Sequence, residues 1–232
     1  MNARTLWRIG GLPLLALIAT PVMAQSTAED QDNSGGVADI VVTAQKRAEN
    51  LQDVPISVAA ITSATLESTH AADLQALQGS VPNVEIGTFS NTPNTAVFTI
   101  RGIGVIEPDP SAGNTVGIVT DGVPQYFSMG ALLDLFDVER IEVLRGPQGT
   151  LFGANTTGGV VNVVNRQPED KFGGKASLSY GNYDHLTASG VINAPLGEAL
   201  SVRFGINHDR RDGYITNIVD GSDMGRRNVT IF

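Results

Sequence analysis

The sequence predicts two β-rich pieces. The first is a small α+β domain with a mixed sheet, short helices and long loops. The second is the first antiparallel strands of a transmembrane β-barrel, truncated before it closes. Three observations point there. Glycine is abundant, at 26 of 232 residues, while the large aromatics number only 8 Phe, 4 Tyr and 1 Trp. That balance suits tight turns and strands better than helix bundles. Short Val- and Ile-rich runs separated by Gly, Pro, Asn and Asp clusters fill residues 46–166. After Arg166, three successive segments alternate apolar and polar residues with a strict period of two.

Ahead of both pieces lies an export signal. Arg4 and Arg8 supply a positive start, residues 12–23 a short apolar run, and Val22-Met23-Ala24 the small residues that signal peptidase requires. Residues 1–24 are therefore read as a signal peptide, with Gln25 the mature N-terminus. The competing reading, a membrane anchor, needs ~20 apolar residues, and this run is shorter and broken by Pro13 and Pro21. Residues 25–38 lack aromatics and nearly all large apolar side chains. They cannot bury enough surface to offset their ordering entropy and are predicted to be a flexible tether. An abrupt β-branched run, Ile40-Val41-Val42-Thr43-Ala44, ends this 25–45 segment, and residues 46–53 turn polar again.

Composition excludes several function classes. Formal charge is −9, from 15 basic and 24 acidic residues; the signal segment holds two arginines and no acid, so the remainder carries −11. Such an acidic surface argues against a nucleic-acid partner. With no cysteine, disulfides, thiolate catalysis and Cys-ligated zinc are excluded. His70, His185 and His208 lack metal-ligand spacing and read as surface histidines. No Ser/His/Asp or paired-acid constellation stands out, so neither catalysis nor a cofactor is expected. The glycine-rich stretch 146–159 lacks the Lys-Ser/Thr of a phosphate loop, and Gly102-Ile103-Gly104 lacks the third glycine of a dinucleotide fingerprint. These glycines are expected to serve positive φ and close backbone approach.

Within the first domain, residues 54–61 read as a strand, and 63–68 and 71–78 as two short helices, the second ended by Gly79 and Pro82. Residues 97–101, 115–119, 139–144 and 159–164 read as strands, with loops at 88–96, 105–115 and 125–130. In the second piece, Ala176, Leu178 and Tyr180 alternate with Lys175, Ser177 and Ser179. Leu186, Ala188, Gly190, Ile192 and Ala194 do the same, as do Leu200, Val202, Phe204 and Ile206. Barrel strands use this pattern, apolar to lipid and polar to the lumen, at ~9–11 residues each. A short turn at 194–199 and a long charged loop at 209–228 fit the same habit. Residues 175–232 leave room for about four strands where plugged transporters use ~22, so the barrel is expected to be incomplete.

A family resemblance is carried by four groups of residues. They are Ile100-Arg101-Gly102; Val119-Thr120-Asp121-Gly122-Val123; Leu144-Arg145-Gly146-Pro147-Gln148-Gly149-Thr150-Leu151-Phe152-Gly153; and Asn155-Thr156-Thr157-Gly158-Gly159-Val160-Val161-Asn162-Val163-Val164. In this order and spacing they resemble the plug domain of TonB-dependent outer-membrane receptors. Asp39-Ile40-Val41-Val42-Thr43-Ala44, with Leu51-Gln52-Asp53-Val54-Pro55-Ile56-Ser57-Val58, resembles the segment that opens many of them. The chain departs from the usual pattern at Thr120 and Ala154.

The resemblance implies a division into signal peptide (1–24), tether with TonB box (25–45), plug (46–166) and start of the barrel (167–232). It implies a receptor in the outer membrane, plug and box facing the periplasm, that takes up a scarce nutrient such as an iron-siderophore complex. Asp39 to Ala44 would be the TonB box, adding as a strand to the sheet of TonB's periplasmic domain; the residues alone also allow a first strand of the plug. Arg101 and Arg145 would lie between plug and barrel wall, paired with barrel acids beyond Phe232; on sequence alone they are exposed strand-end arginines. The three loops would lie at the apex that meets the ligand. The implied partners are TonB, outer-membrane lipid and a small-molecule ligand, whose identity stays open among siderophore, carbohydrate, vitamin and other nutrient. Three rivals fare worse. A barrel enzyme lacks a constellation, a soluble binding domain does not explain the amphipathic segments, and an anti-sigma signalling receptor needs a folded domain that 25–38 cannot supply.

Overall fold

A computed structural model of the chain describes residues 40–89, 92–105, 113–127, 134–197 and 199–232. The expected signal peptide, the tether and Asp39 lie outside the described residues, as do parts of the three expected apex loops.

The described chain opens with a two-strand ribbon, β1 (Val41–Val42) against β2 (Glu49–Asn50). Strand β3 (Val58–Thr62) runs straight into helix α1 (Ser63–Thr69). Thr62 caps that helix through its hydroxyl, which accepts the Thr65 N–H at 3.4 Å, and His70 closes it in the left-handed region. The helix expected over 71–78 is a single 3₁₀ turn, Leu74–Leu77, capped by the Asp73 carboxylate on the Ala76 N–H. Its two apolar residues sit at i and i+3, positions that eclipse in 3₁₀ geometry, so one turn buries both.

Strands β4 (Val84–Phe89), β5 (Thr92–Ile100) and β6 (Ile103–Gly104) form a three-stranded sheet. Most of the loop expected at 88–96 is therefore strand. The main sheet adds β7 (Val116–Thr120), β8 (Val123–Gln125), β9 (Val138–Arg145) and, after the four-residue helix α2 (Gly149–Phe152), β10 (Gly159–Asn165). Its order is β3-β9-β10-β7-β8, with β7 and β10 parallel and the other neighbours antiparallel, which is the mixed sheet expected.

Because β9 and β10 are central, both of their faces are buried. On one face Ile141, Val143, Val161 and Val163 meet Leu66, Leu74, Leu77, Ile86, Phe98 and Ile100. On the other, Leu144 and Val160 meet Val42, Ala44, Val54 and Val119. Asp121 and Gly122, both at positive φ, make the two-residue turn from β7 to β8. The Asp121 carboxylate also ties in β10, accepting the Asn165 N–H at 2.9 Å and its Nδ2 at 2.8 Å.

The second piece is an antiparallel sheet of β11 (Gly173–Gly181), β12 (His185–Pro195), β13 (Ser201–Arg211) and β16 (Arg227–Ile231). A small hairpin, β14 (Ile215–Thr216) with β15 (Asp223–Met224), stands in the loop between the last two. The register pairs Ile192 with Phe204, Ala194 with Val202 and Gly190 with Ile206, so the apolar residues of β12 and β13 line one face. That face is open: Leu178, Ile192, Val202, Phe204 and Ile206 are all exposed. The opposite face carries Asn193, Arg203 and Asp209 and turns towards the first domain. The alternation read from the sequence thus sorts the sheet as a barrel wall is sorted.

Gly159 is the tightest point of the main sheet. Its φ is +150°, and a Cβ there would fall 2.2 Å from the Leu144 carbonyl oxygen and 2.8 Å from Ile100 Cδ1. Gly159→Ala is expected to destabilise the domain by about 3 kcal/mol through this clash and the backbone strain. Gly122→Ala, with open space but φ +82°, should cost about 1 kcal/mol. Urea titration of protease protection in the detergent-solubilised chain would rank them; equal losses would mean that the close approach carries no weight.

Candidate functional site

Residues 40–44 are packed, not free. Val42 and Ala44 are wholly buried, while Val41 points outward. The Ile40 carbonyl accepts the Leu51 N–H and the Thr43 carbonyl the Lys46 N–H, each at 2.8 Å. Thr43 reaches Glu142 twice: its N–H donates to Oε1 at 2.6 Å and its hydroxyl to the same oxygen at 3.0 Å. Among the described residues, then, the segment takes the first-strand arrangement. Isolated polarity on both sides suggested mobility, but Val42 and Ala44, two apart, provide an apolar face that the main sheet covers.

Glu142 lies at the centre of that sheet face, with Ala60 on β3 and Asn162 on β10 as its cross-strand neighbours. It has no exposed surface. Arg140 Nε donates to Oε1 at 2.8 Å and Asn162 Nδ2 to Oε2 at 3.1 Å. Arg140 also pairs with Glu139. A buried carboxylate persists only when paired and hydrogen-bonded, and this one is both. Sequence reasoning passed it over, since a Glu alternating with valines reads as the solvent face of a strand.

Ser57 meets the Arg101 side chain and the Arg145 backbone. Arg101 Nη2 donates to the Ser57 hydroxyl at 3.2 Å, and the Arg145 N–H donates to the Ser57 carbonyl at 2.9 Å. Arg101 is exposed and Arg145 half-buried, with its Nε buried and unbonded. Neither has an acidic partner among the described residues.

The motif glycines are structural. Gly102 follows Arg101 at φ +78°, and Gly146, at φ +102°, starts the turn through the exposed Pro147 to α2. Gly149 opens α2, Gly153 ends it, and Gly158 packs on Ile103. The Gly146 and Gln148 N–H groups donate to the Gly158 and Thr156 carbonyls, both at 3.0 Å. That loop is closed on itself and offers no cradle for an anion.

Ion pairs join the domain to the strand sheet in a consistent sense: acids on the domain, bases on the wall. Arg203 grips Asp137 with two bonds, at 2.5 and 2.7 Å. Arg227 bridges Asp134 of the domain and Asp209 of β13. Lys175 reaches Glu67 of α1 at 2.7 Å. Lys175 and Arg203 sit at polar-face positions that the alternation marks, whereas Arg227, expected in the 209–228 loop, opens strand β16; their partners were not foreseeable. His185 also departs from a plain surface histidine: its Nε2 lies 2.7 Å from Asp209 Oδ1. His208 meets the Thr230 hydroxyl at 2.9 Å, and His70 stays exposed.

A two-faced sheet domain tied by ion pairs to the polar face of an amphipathic strand sheet defines the class of a domain that plugs a barrel. Residues 50–160 match the family described as the TonB-dependent Receptor Plug Domain, and the domain they form is a plug of that family. The iron-regulated outer membrane virulence protein of Vibrio cholerae is 29% identical over 214 residues, covering 84% of this chain and 31% of that protein. The vitamin B12 transporter BtuB of Vibrio vulnificus is 27% identical over 229 residues, covering 94% and 35%. The crystal structure of the ferric yersiniabactin uptake receptor FyuA from Yersinia pestis superposes with a TM-score of 0.66 at 26% identity, covering 75% of this chain and 27% of that one. The chain therefore spans about a third of the length of these relatives.

The Arg203–Asp137 pair is expected to couple domain and wall by about 1 kcal/mol, since desolvation and screening offset much of its attraction. A double-mutant cycle of Arg203→Ala and Asp137→Ala, read by urea titration in detergent, measures this; additive losses would mean no coupling. Lys175 donates to Glu67 and holds its carboxyl below the usual range. A lowered carboxyl contributes above its unfolded pKa and loses that contribution as pH falls through the folded one. This exposed pair should therefore weaken the seam only on acidification, and slightly.

Proposed function

We propose that the chain is the N-terminal part of a TonB-dependent outer-membrane receptor that imports a scarce nutrient, such as an iron-siderophore complex. The observation that carries this reading is the domain held to the polar face of a strand sheet whose other face is apolar and open. Such a sheet suits lipid on one side and a plugged lumen on the other. The relatives named for iron regulation, vitamin B12 transport and ferric yersiniabactin uptake support the transport class and leave the ligand open.

In this reading, residues 46–166 gate a barrel begun by residues 167–232. Plug and box face the periplasm. A ligand binds the outer loops, where Tyr126 and Phe127 are exposed. The plug shifts, and the Asp39 to Ala44 box adds as a strand to TonB, which draws on the inner-membrane proton gradient. Arg101 and Arg145, which have no acidic partner among the described residues, would meet theirs on the barrel wall. No catalytic step is assigned to any residue. A soluble periplasmic binding domain would leave the stripe of Val202, Phe204 and Ile206 in water.

Val41→Pro removes a donor that strand addition needs. In the full-length receptor it is expected to abolish energised uptake while leaving ligand binding at the cell surface intact; uptake at the wild-type rate would sink the box assignment. Arg145→Ala is expected to loosen the plug, seen as raised antibiotic leakage or single-channel conductance. No change in either would return Arg145 to an ordinary surface arginine.

A further inference from the structure

The polar cluster around Glu142 has a feature that packing alone does not require. Four donors converge on one carboxylate: the Thr43 N–H, the Thr43 hydroxyl, Arg140 Nε and Asn162 Nδ2. Arg140 Nη2 and Asn162 Nδ2 also approach the Thr43 hydroxyl oxygen, at 3.4 and 3.5 Å. Thr43 is thus tied to three buried polar side chains, two on β9 and one on β10, and all are far from it in sequence. Beside it, Val42 and Ala44 fill the apolar part of the same face.

We infer that Glu142 is a latch: it holds the box docked on the plug sheet, and a partner strand can pair with the box only after this set of bonds opens. The inference rests on the box reading above and adds the residue that regulates it. The reasoning is one of exclusion. Strand addition uses the backbone edge of the added segment and buries alternate side chains. In the docked state the Ile40 carbonyl, the Thr43 N–H and the Thr43 carbonyl are already bonded, and the Val42 and Ala44 side chains are already covered. They cannot serve a second sheet at the same time. Glu142 is a positioning residue: it touches the box and not the partner.

The chain contains no cysteine, so Val42→Cys creates its sole thiol, in a buried position. In outer-membrane vesicles of the full-length receptor, freed of any other cysteine, the rate at which a maleimide-polyethylene glycol modifies that thiol reports undocking. Glu142→Gln keeps the volume, but a neutral amide offers fewer acceptor sites than a carboxylate and leaves buried donors unmet. Labelling is expected to accelerate about tenfold or more. An unchanged or slower rate overturns the latch. Should Glu142→Gln fail to assemble, a pair of variants at Thr43 decides: Thr43→Ala should label ~3-fold faster and Thr43→Ser at the wild-type rate. Equal rates in the pair overturn the proposal. Capture by the purified periplasmic domain of TonB separates this from the underlying reading. Capture is expected to rise with labelling. Faster labelling with unchanged capture would overturn TonB as the excluded partner, and the box reading with it, while leaving Glu142 as the hold.

Discussion

The structure depends on one constraint: the β9–β10 pair must be covered on both faces. A strand pair at the centre of a five-stranded sheet has no solvent side. In a domain this small, each cover must come from a short and economical piece of chain. One side is closed by α1, the 3₁₀ turn and the β4–β5 hairpin, an ordinary apolar layer. The other is closed by residues 40–60, which have no helix and little regular structure. The second cover is the weaker one, because it buries fewer and smaller side chains. Local opening follows local packing, so that face is where the domain gives way first.

Much of this was legible because it rests on periodicity. The central strands announce themselves by their Val and Ile runs, and the barrel-type strands by strict alternation, which also sorts their two faces. What stayed hidden depends on contacts between distant residues. Glu142 alternates with valines and isoleucine, a pattern that marks a solvent face when only one strand is read. Its burial requires knowing that residues 40–44 return to cover it, 99 positions away from Thr43. The 3₁₀ turn was mistaken for a longer helix because two leucines three apart satisfy either period.

The seam between plug and wall follows different physics from the cores. Apart from the Phe136 ring set against Gly205 of β13, it is held by ion pairs and hydrogen bonds, Arg203 with Asp137, Arg227 with Asp134 and Lys175 with Glu67. Pairs of this kind fix orientation while adding little net stability, because removing charges from water offsets their attraction. An apolar seam would hold the domain more firmly and resist rearrangement. A polar one sets register and leaves the two parts separable. The one-sided sorting, acids on the domain and bases on the wall, also disfavours misplacement, since a shift along the wall puts each base out of reach of its acid.

The same logic explains why a charged group sits under residues 40–44. Ile40, Val41 and Val42 are nearly equivalent in shape, and apolar packing alone would accept more than one of them in the same depression. A slip of one residue would turn Val42 outward and Val41 inward at small cost in buried area. Thr43 breaks that degeneracy, because within residues 40–44 it alone carries a side-chain hydroxyl. Glu142 reads both that hydroxyl and the neighbouring N–H. A slipped register would present a methyl group to a buried carboxylate and leave its donors unmatched, a penalty of about 1–3 kcal/mol for each unsatisfied group. The polar centre of the sheet thus selects one register for a segment whose own sequence does not.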